Sequence, residues 1–256
     1  MDTAQHEFAQ ALVGAYRTGT VLDAALWQDS VKGEQAAYAV QDAVAAELGW
    51  WRAGEVARYW KSGGPTRSAT LTHAGLPPDA VRGNGAEYSD LRLHAPGVEA
   101  EVALRLVRAV TPDEAALLAE DAVDGLIDAM TVSVELVDSR FEQASQAPAL
   151  LRLADCQSHA GLVLGDWIPY ARRPWHQQVC EVRIDDGAAQ LHMGTHSLGD
   201  PAWLLPAWLR HLTRHGATVP AGTVVTTGTW NGVHAVQPGM KVDVAFPGIG
   251  AISLRV

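Results

Sequence analysis

Apolar positions in the first fifty residues recur at helical spacing. Ala11, Leu12, Ala15 and Tyr16 make one stripe, and Ala37, Val40, Gln41, Val44 and Leu48 make a second within Gln35–Leu48, with Gly49 placed to stop it. From Trp50 the pattern changes: Arg58-Tyr59-Trp60-Lys61 runs into Ser62-Gly63-Gly64-Pro65, as a short strand does on entering a turn. Residues 76–96, rich in Pro, Gly, Asp and Asn, read as a long irregular connection. Val98 to Val107 alternates with period two and predicts a strand. Thr111-Pro112-Asp113-Glu114 is a helix start, with Thr111 as cap and Pro112 in the first turn, and the helix is expected to reach about Met130. Thr131–Val137 is a β-branched strand, followed by short strands at Ala160–Gly165 and Val179–Ile184, the second ending in the Asp185-Asp186-Gly187 turn. Pro201 to His215 predicts a Trp/Leu-rich helix stopping at Gly216, and strands separated by Gly, Pro and Asn turns follow from Thr223. The expected class is α+β, with a helical region over residues 1–60 packed on a β-rich core over residues 61–256.

Composition narrows the function. The 256 residues carry a formal charge of −10, which argues against holding nucleic acid by phosphate neutralisation. No run approaches a membrane span and the start, Met1-Asp2-Thr3-Ala4-Gln5-His6-Glu7, lacks a signal pattern, so a cytoplasmic location is expected, with no membrane partner. Cys156 and Cys180 have no paired spacing and are expected to stay reduced. Trp203 and Trp208 suit either the core or a subunit contact.

The informative segment is Gly97-Val98-Glu99-Ala100-Glu101-Val102-Ala103-Leu104-Arg105-Leu106. On a strand, Ala100, Val102, Leu104 and Leu106 face one side, and Glu99, Glu101, Ala103 and Arg105 the other. Two glutamates at i and i+2 lie roughly 6.6 Å apart along the strand, close enough to converge on one ion. Read alone, the segment fits the solvent face of an edge strand at least as well. Glu135, inside the β-branched run Thr131–Val137, shifts the balance, because a carboxylate there is costly unless a metal, Arg105 or Arg140 pairs with it. Asp138 is either a further ligand or a turn residue.

Glu99-Ala100-Glu101 followed by Glu135-Leu136-Val137-Asp138-Ser139-Arg140 resembles the fumarylacetoacetate hydrolase superfamily, and within it the 2-keto-4-pentenoate hydratases and 4-oxalocrotonate decarboxylases. Trp60-Lys61, Ala154-Asp155-Cys156-Gln157-Ser158, His196-Ser197-Leu198-Gly199-Asp200-Pro201, Thr226-Thr227-Gly228-Thr229-Trp230 and Gln237-Pro238-Gly239-Met240-Lys241-Val242 agree in order, from about residue 30 to the C-terminus. The resemblance implies a mixed β-sheet roll or barrel with flanking helices, and a homo-oligomer. It also implies Mg²⁺ or Mn²⁺ on Glu99, Glu101 and Glu135, with a small keto acid on the open positions. An all-oxygen donor set suits such hard ions. By the same resemblance Lys61 lies in the active site, while Ser158 and Thr229 are placed to bond substrate oxygens. Asp79 matches an acidic catalytic position, but Pro77-Pro78-Asp79-Ala80-Val81 lacks the aromatic-Gly expected after it. Lys61 is followed by Ser62-Gly63-Gly64-Pro65-Thr66 rather than the usual Ile/Val-Gly-Leu-Thr. His159 is also a departure, either a proton carrier or, the favoured reading, an edge histidine.

The expected activity is that of a metal-dependent lyase, a hydratase of a 2-hydroxy-dienoic or 2-keto acid such as 2-hydroxypenta-2,4-dienoate. The alternatives are a decarboxylase of a 4-oxalocrotonate-like acid, a C–C bond hydrolase of a diketo acid that needs His73 or His159 to activate water, and a homologue that only binds keto acids.

Overall fold

The structure is a computed structural model describing residues 1–52, 54–120 and 122–256. Its helices are α1 (Thr3–Thr18), α2 (Glu34–Leu48), α3 (Pro112–Leu117), α4 (Ala149–Ala154) and α5 (Leu205–Thr213). The strands are β1 (Tyr59–Gly63), β2 (Thr72–Leu76), β3 (Val81–Gly83), β4 (Gly97–Leu106), β5 (Ile127–Val137), β6 (His159–Leu164), β7 (Ile168–Pro169), β8 (Val179–Ile184), β9 (Gln190–Met193), β10 (Val224–Thr226), β11 (His234–Ala235), β12 (Lys241–Phe246) and β13 (Gly250–Arg255). A mixed sheet in the order β2-β1-β10-β4-β5-β6-β3, with β11 on β4 and β7 on β5, stacks on a smaller sheet in the order β13-β12-β8-β9.

One apolar core lies between the sheets. Val98, Ala100, Val102 and Leu104 of β4 and Val132, Val134 and Leu136 of β5 meet Val242, Val244, Ile252 and Leu254 of the small sheet. Trp208 of α5 is fully buried in the same core, so it covers no subunit contact; Trp203 is half-buried and stacks against Arg67. A second cluster joins α1 and α2, through Phe8, Leu12, Val40 and Val44, to Phe141, Leu151 and Leu153. Gly49 ends α2 in the left-handed conformation that favours glycine.

Three expectations change. The helix opened by Thr111 ends at Leu117, and Leu118 is already extended, its carbonyl accepting from Arg210 Nη2 at 2.5 Å. The remainder of that expected helix includes Asp121, which lies outside the described residues; from Ile127 the chain is strand β5, paired with β4 from Leu106↔Ile127 onward. Burial of Met130 and Ile127 between the sheets outweighs the local helical preference. The connection over residues 76–96 contains β3, which pairs with β6. Finally, β4 is no edge strand: β10 and β5 flank it, and Glu101 and Ala103 are buried on the face expected to meet solvent.

Behind β5, Arg140 and Asp155 form a buried pair, with Arg140 Nε donating to Asp155 Oδ1 at 2.5 Å and Nη1 to the His159 carbonyl at 2.7 Å. The pair ties the chain after β5 to the end of α4. Arg140→Met strands the Asp155 carboxylate and is expected to cost about 3–5 kcal/mol in urea unfolding. Adding Asp155→Leu should restore part of that loss; no recovery in the double variant would refute the account.

Candidate metal centre

Register brings the carboxylates together. In the antiparallel β4/β5 ladder Glu99 pairs with Glu135 and Glu101 with Ser133, so the three glutamates share one face. Lys61 of β1 sits opposite Thr226 of β10, and Thr226 opposite Ala103 of β4, which carries the same face across to the lysine. One oxygen from each of Glu99, Glu101 and Glu135 lies within 4.8 Å of the others.

Each carboxylate is held differently. Glu135 is fully buried; its Oε1 accepts from Lys61 Nζ at 2.6 Å and from His159 Nδ1 at 3.0 Å, and its Oε2 has no partner among the described residues. Glu101 Oε2 accepts from the Gly228 N–H at 2.8 Å and from the Thr226 hydroxyl. Gly228 takes φ +102°, a left-handed conformation that suits glycine and aims its N–H at the carboxylate. Glu99 is half-buried.

Burial and mutual repulsion shape the charges. Burial pushes Glu99 up to about 7, against the pull of Lys61, and pushes Glu101 up to about 8, with the Glu135 and Glu99 charges adding to the effect. Burial also opposes the charge on Glu135, but Lys61 and His159 outweigh it and hold that carboxyl below its usual range. Lys61 is likewise opposed by burial, and the carboxylates of Glu135 and Glu99 hold it above the ordinary lysine value. Burial lowers His159. A neutral imidazole beside a carboxylate donates from Nδ1, which leaves the buried Nε2, without a partner among the described residues, as an acceptor.

Three close carboxylates facing one ammonium leave an excess of negative charge, and a buried oxygen of Glu135 has no donor among the described residues. A hard divalent cation fits that donor set and would neutralise the excess.

The centre opens into a cavity of about 640 Å³, whose wall includes Lys61, Glu99, Glu101, Ser158 and Thr229. Cys156, Gln157 and Ser158 all adopt positive φ, at 46°, 53° and 62°, making a left-handed turn without glycine. Such backbone costs of order 1–3 kcal/mol per residue and persists only where surroundings impose it. The turn presents the Gln157 carbonyl to Lys61 Nζ at 3.2 Å and the Ser158 carbonyl to the Asp138 N–H at 2.7 Å.

Of the expected site residues, Lys61, Glu99, Glu101 and Glu135 come together and Ser158 joins the cavity wall. Thr229 also reaches the wall, but its hydroxyl bonds Asn231 Oδ1 at 3.0 Å. Asp79 is not brought there: it lies exposed on a short turn before β3. The arginines proposed as partners of Glu135 are engaged elsewhere, Arg105 with Asp128 and Arg140 with Asp155; Lys61 and His159 take that role. His159 is a buried ligand of Glu135 rather than an edge histidine. Asp138 accepts from the His94 and Ala95 N–H groups and so anchors a loop. Sequence reading missed Thr226 and the Gly228 N–H as supports of Glu101, although both lie in the Thr226–Trp230 motif.

His73 lies on β2, opposite Ser62 of Lys61's strand, with Nδ1 2.8 Å from Ser62 Oγ. Burial, with Arg214 nearby, pushes it down to about 3. An unfolded histidine takes its proton near 6.5, so stability falls as pH drops from there toward 3. His73 should therefore contribute a loss of about 2 kcal/mol between pH 7 and pH 5. Urea midpoints of wild type and His73→Gln at both pH values test this; equal falls in the two proteins would overturn it.

A family model, fumarylacetoacetate (FAA) hydrolase C-terminal, matches residues 57–256. The chain is 32% identical over 178 residues to 2-keto-4-pentenoate hydratase 1 of Dechloromonas aromatica (strain RCB), covering 68% of this chain and 65% of that one. It is 27% identical over 130 residues to the 4-oxalocrotonate decarboxylase of Pseudomonas putida, covering 50% and 49%. The matched stretch thus spans between half and two thirds of these relatives' lengths. Among solved structures, 4-oxalocrotonate decarboxylase from Pseudomonas putida G7, complexed with magnesium and adipate, superposes with a TM-score of 0.83 at 20% identity, over 97% of this chain and 95% of that one.

Proposed function

The chain belongs to the fumarylacetoacetate hydrolase family, and on that premise we propose that it is a metal-dependent lyase acting on a small 2-hydroxy-dienoic or 2-keto acid. The observation that carries the proposal is the convergence of Glu99, Glu101 and Glu135 beside Lys61, with Lys61, Glu99 and Glu101 on the wall of one cavity and Glu135 buried directly behind them.

Glu99, Glu101 and Glu135 would hold Mg²⁺ or Mn²⁺. Such an ion, when bound, acts as a Lewis acid that draws electron density from the 2-oxo group and its carboxylate. Lys61 and His159 keep Glu135 ionised and aimed, and Gly228 and Thr226 aim Glu101. These supports fix the donor oxygens before any ligand arrives. Lys61, held by Glu135 and the Gln157 carbonyl, presents an ammonium to the cavity, where it pairs with substrate carboxylate or passes a proton. The Ser158 hydroxyl is placed to donate to the same carboxylate.

The C–C hydrolase alternative needs a histidine to activate water in this cavity. Among the described residues neither His73 nor His159 lies on its wall: His73 bonds Ser62, and His159 faces a separate groove beside α1. The lyase reading is the better supported, with hydration and decarboxylation as its two outcomes.

The test is turnover with Mg²⁺. Loss of dienol absorbance from 2-hydroxypenta-2,4-dienoate without CO₂ release marks hydration, and CO₂ from 4-oxalocrotonate marks decarboxylation. Either activity should vanish with chelator. Failure on both acids, with no oxalate bound in the presence of Mg²⁺, would overturn the proposal.

A further inference from the structure

Two cations reach the wall of the cavity among the described residues, Lys61 and Arg152. Lys61 is committed to Glu135 at 2.6 Å. Arg152, on α4, donates Nε to the Ala147 carbonyl at 3.0 Å, and among the described residues neither Nη group has an acceptor. No carboxylate pairs with it among the described residues. Among the described residues the one other acidic side chain on the wall beyond Glu99 and Glu101 is Asp138, whose two oxygens already accept from the His94 and Ala95 N–H groups. Arg152 is half-buried, so part of its hydration is already lost without a counter-charge in exchange. A planar guanidinium held through Nε, on a residue that lines a cavity, is matched by a carboxylate, which it can grip bidentately.

Resting on the keto-acid reading, we propose that Arg152 forms the subsite for a second carboxylate on the substrate, so that the natural substrate class is a dicarboxylic 2-keto or 2-hydroxy-dienoic acid. The rest of the wall suits the chain between the two charged ends: Pro65, Val137, Val233 and Ala235 offer apolar surface to a hydrocarbon or conjugated backbone. A monocarboxylic acid of the same length would lay an apolar tail against Arg152, leaving the cation both desolvated and unpaired. That penalty is the source of the selectivity. The inference bears on the identity of the acid and is indifferent to whether water adds or CO₂ leaves.

Calorimetry with Mg²⁺ and three probes separates the possibilities. Oxalate reports only the keto-acid end. 2-Oxoadipate and 2-oxohexanoate share a six-carbon chain and differ in the far carboxylate. Wild type should bind 2-oxoadipate roughly 10- to 100-fold more tightly than 2-oxohexanoate, the range of one charge-assisted contact. Arg152→Met should bring 2-oxoadipate down to the level of 2-oxohexanoate, and Arg152→Lys should recover part of the difference. Oxalate binding with equal affinity for the two six-carbon acids in wild type, or a preference that survives Arg152→Met, overturns the Arg152 subsite while leaving the keto-acid reading standing. No binding of oxalate overturns the keto-acid reading, and the subsite with it.

Discussion

Glu101→Gln should melt at a higher temperature than wild type when both are metal-free, and should lose divalent-ion binding and turnover. The two effects have one cause. Glu101 is buried against Glu135 and Glu99, and its carboxyl is pushed up to about 8 because its negative charge is unwelcome there. Glutamine keeps the shape and keeps an amide oxygen for the Gly228 N–H and the Thr226 hydroxyl. It removes the repulsion, which should stabilise the chelated protein by about 1–2 kcal/mol. For a chain of this size that is roughly 2–4 °C per kcal/mol. The same change deletes an anionic donor from the metal cluster, and turnover should drop by roughly 10³-fold or more. Differential scanning calorimetry at pH 8 with and without Mg²⁺ checks both halves: Mg²⁺ should raise the melting temperature of wild type and leave that of the variant where it was. A variant that melts lower than wild type without metal, or that still responds to Mg²⁺, would sink the account.

That trade is visible elsewhere around the cavity. The left-handed turn of Cys156, Gln157 and Ser158 costs backbone energy, yet it delivers a carbonyl to Lys61. The buried Arg140–Asp155 pair anchors the end of α4 from which that turn departs. The apolar cluster of α1 and α2 presses on α4 from the other side through Leu151 and Leu153. The helical N-terminal region thereby supports the segment that carries both Arg152 and the turn.

What the sequence disclosed, and what it hid, follows from the range of the interactions. The alternation in Val98–Leu106 sets which side chains share a face of β4, and that is a local property, so Glu99 and Glu101 were legible as a pair. Glu135 was legible as a misfit, a carboxylate in a β-branched run. The pairing of Glu99 with Glu135 depends on register, and a slip of one residue would turn Glu135 to the opposite face. No local pattern fixes that; the family resemblance supplied it. The helix expected to reach Met130 shows the opposite error, local preference overruled by long-range burial of β5. The favoured reading makes His159 an edge residue, yet β6 lies inside the sheet, with β5 on one side and β3 on the other. Arg152 sits in an ordinary Leu-rich helix, and only the fold shows which cavity it meets.

Lys61→Met should separate binding of the ion from use of it. The methionine is close in length and apolar, so it fills the buried space without a charge. All three carboxylates remain, with one fewer positive charge beside them, and Mg²⁺ should bind at least as tightly as in wild type. Without metal the variant should be less stable, because Glu135 keeps only His159 on Oε1 and its charge is otherwise uncompensated. Mg²⁺ should therefore stabilise it by more than it stabilises wild type. Turnover should nevertheless fall by roughly 10²- to 10⁴-fold, the range set by loss of a positioned acid–base group. Lys61→Arg should not recover it, since a planar guanidinium cannot occupy the place of a compact ammonium 2.6 Å from Glu135 Oε1 and 3.2 Å from the Gln157 carbonyl. Turnover of Lys61→Met within tenfold of wild type would reduce the lysine to a counter-charge for Glu135. Retained Mg²⁺ affinity with lost turnover would identify it as the group that acts on the substrate.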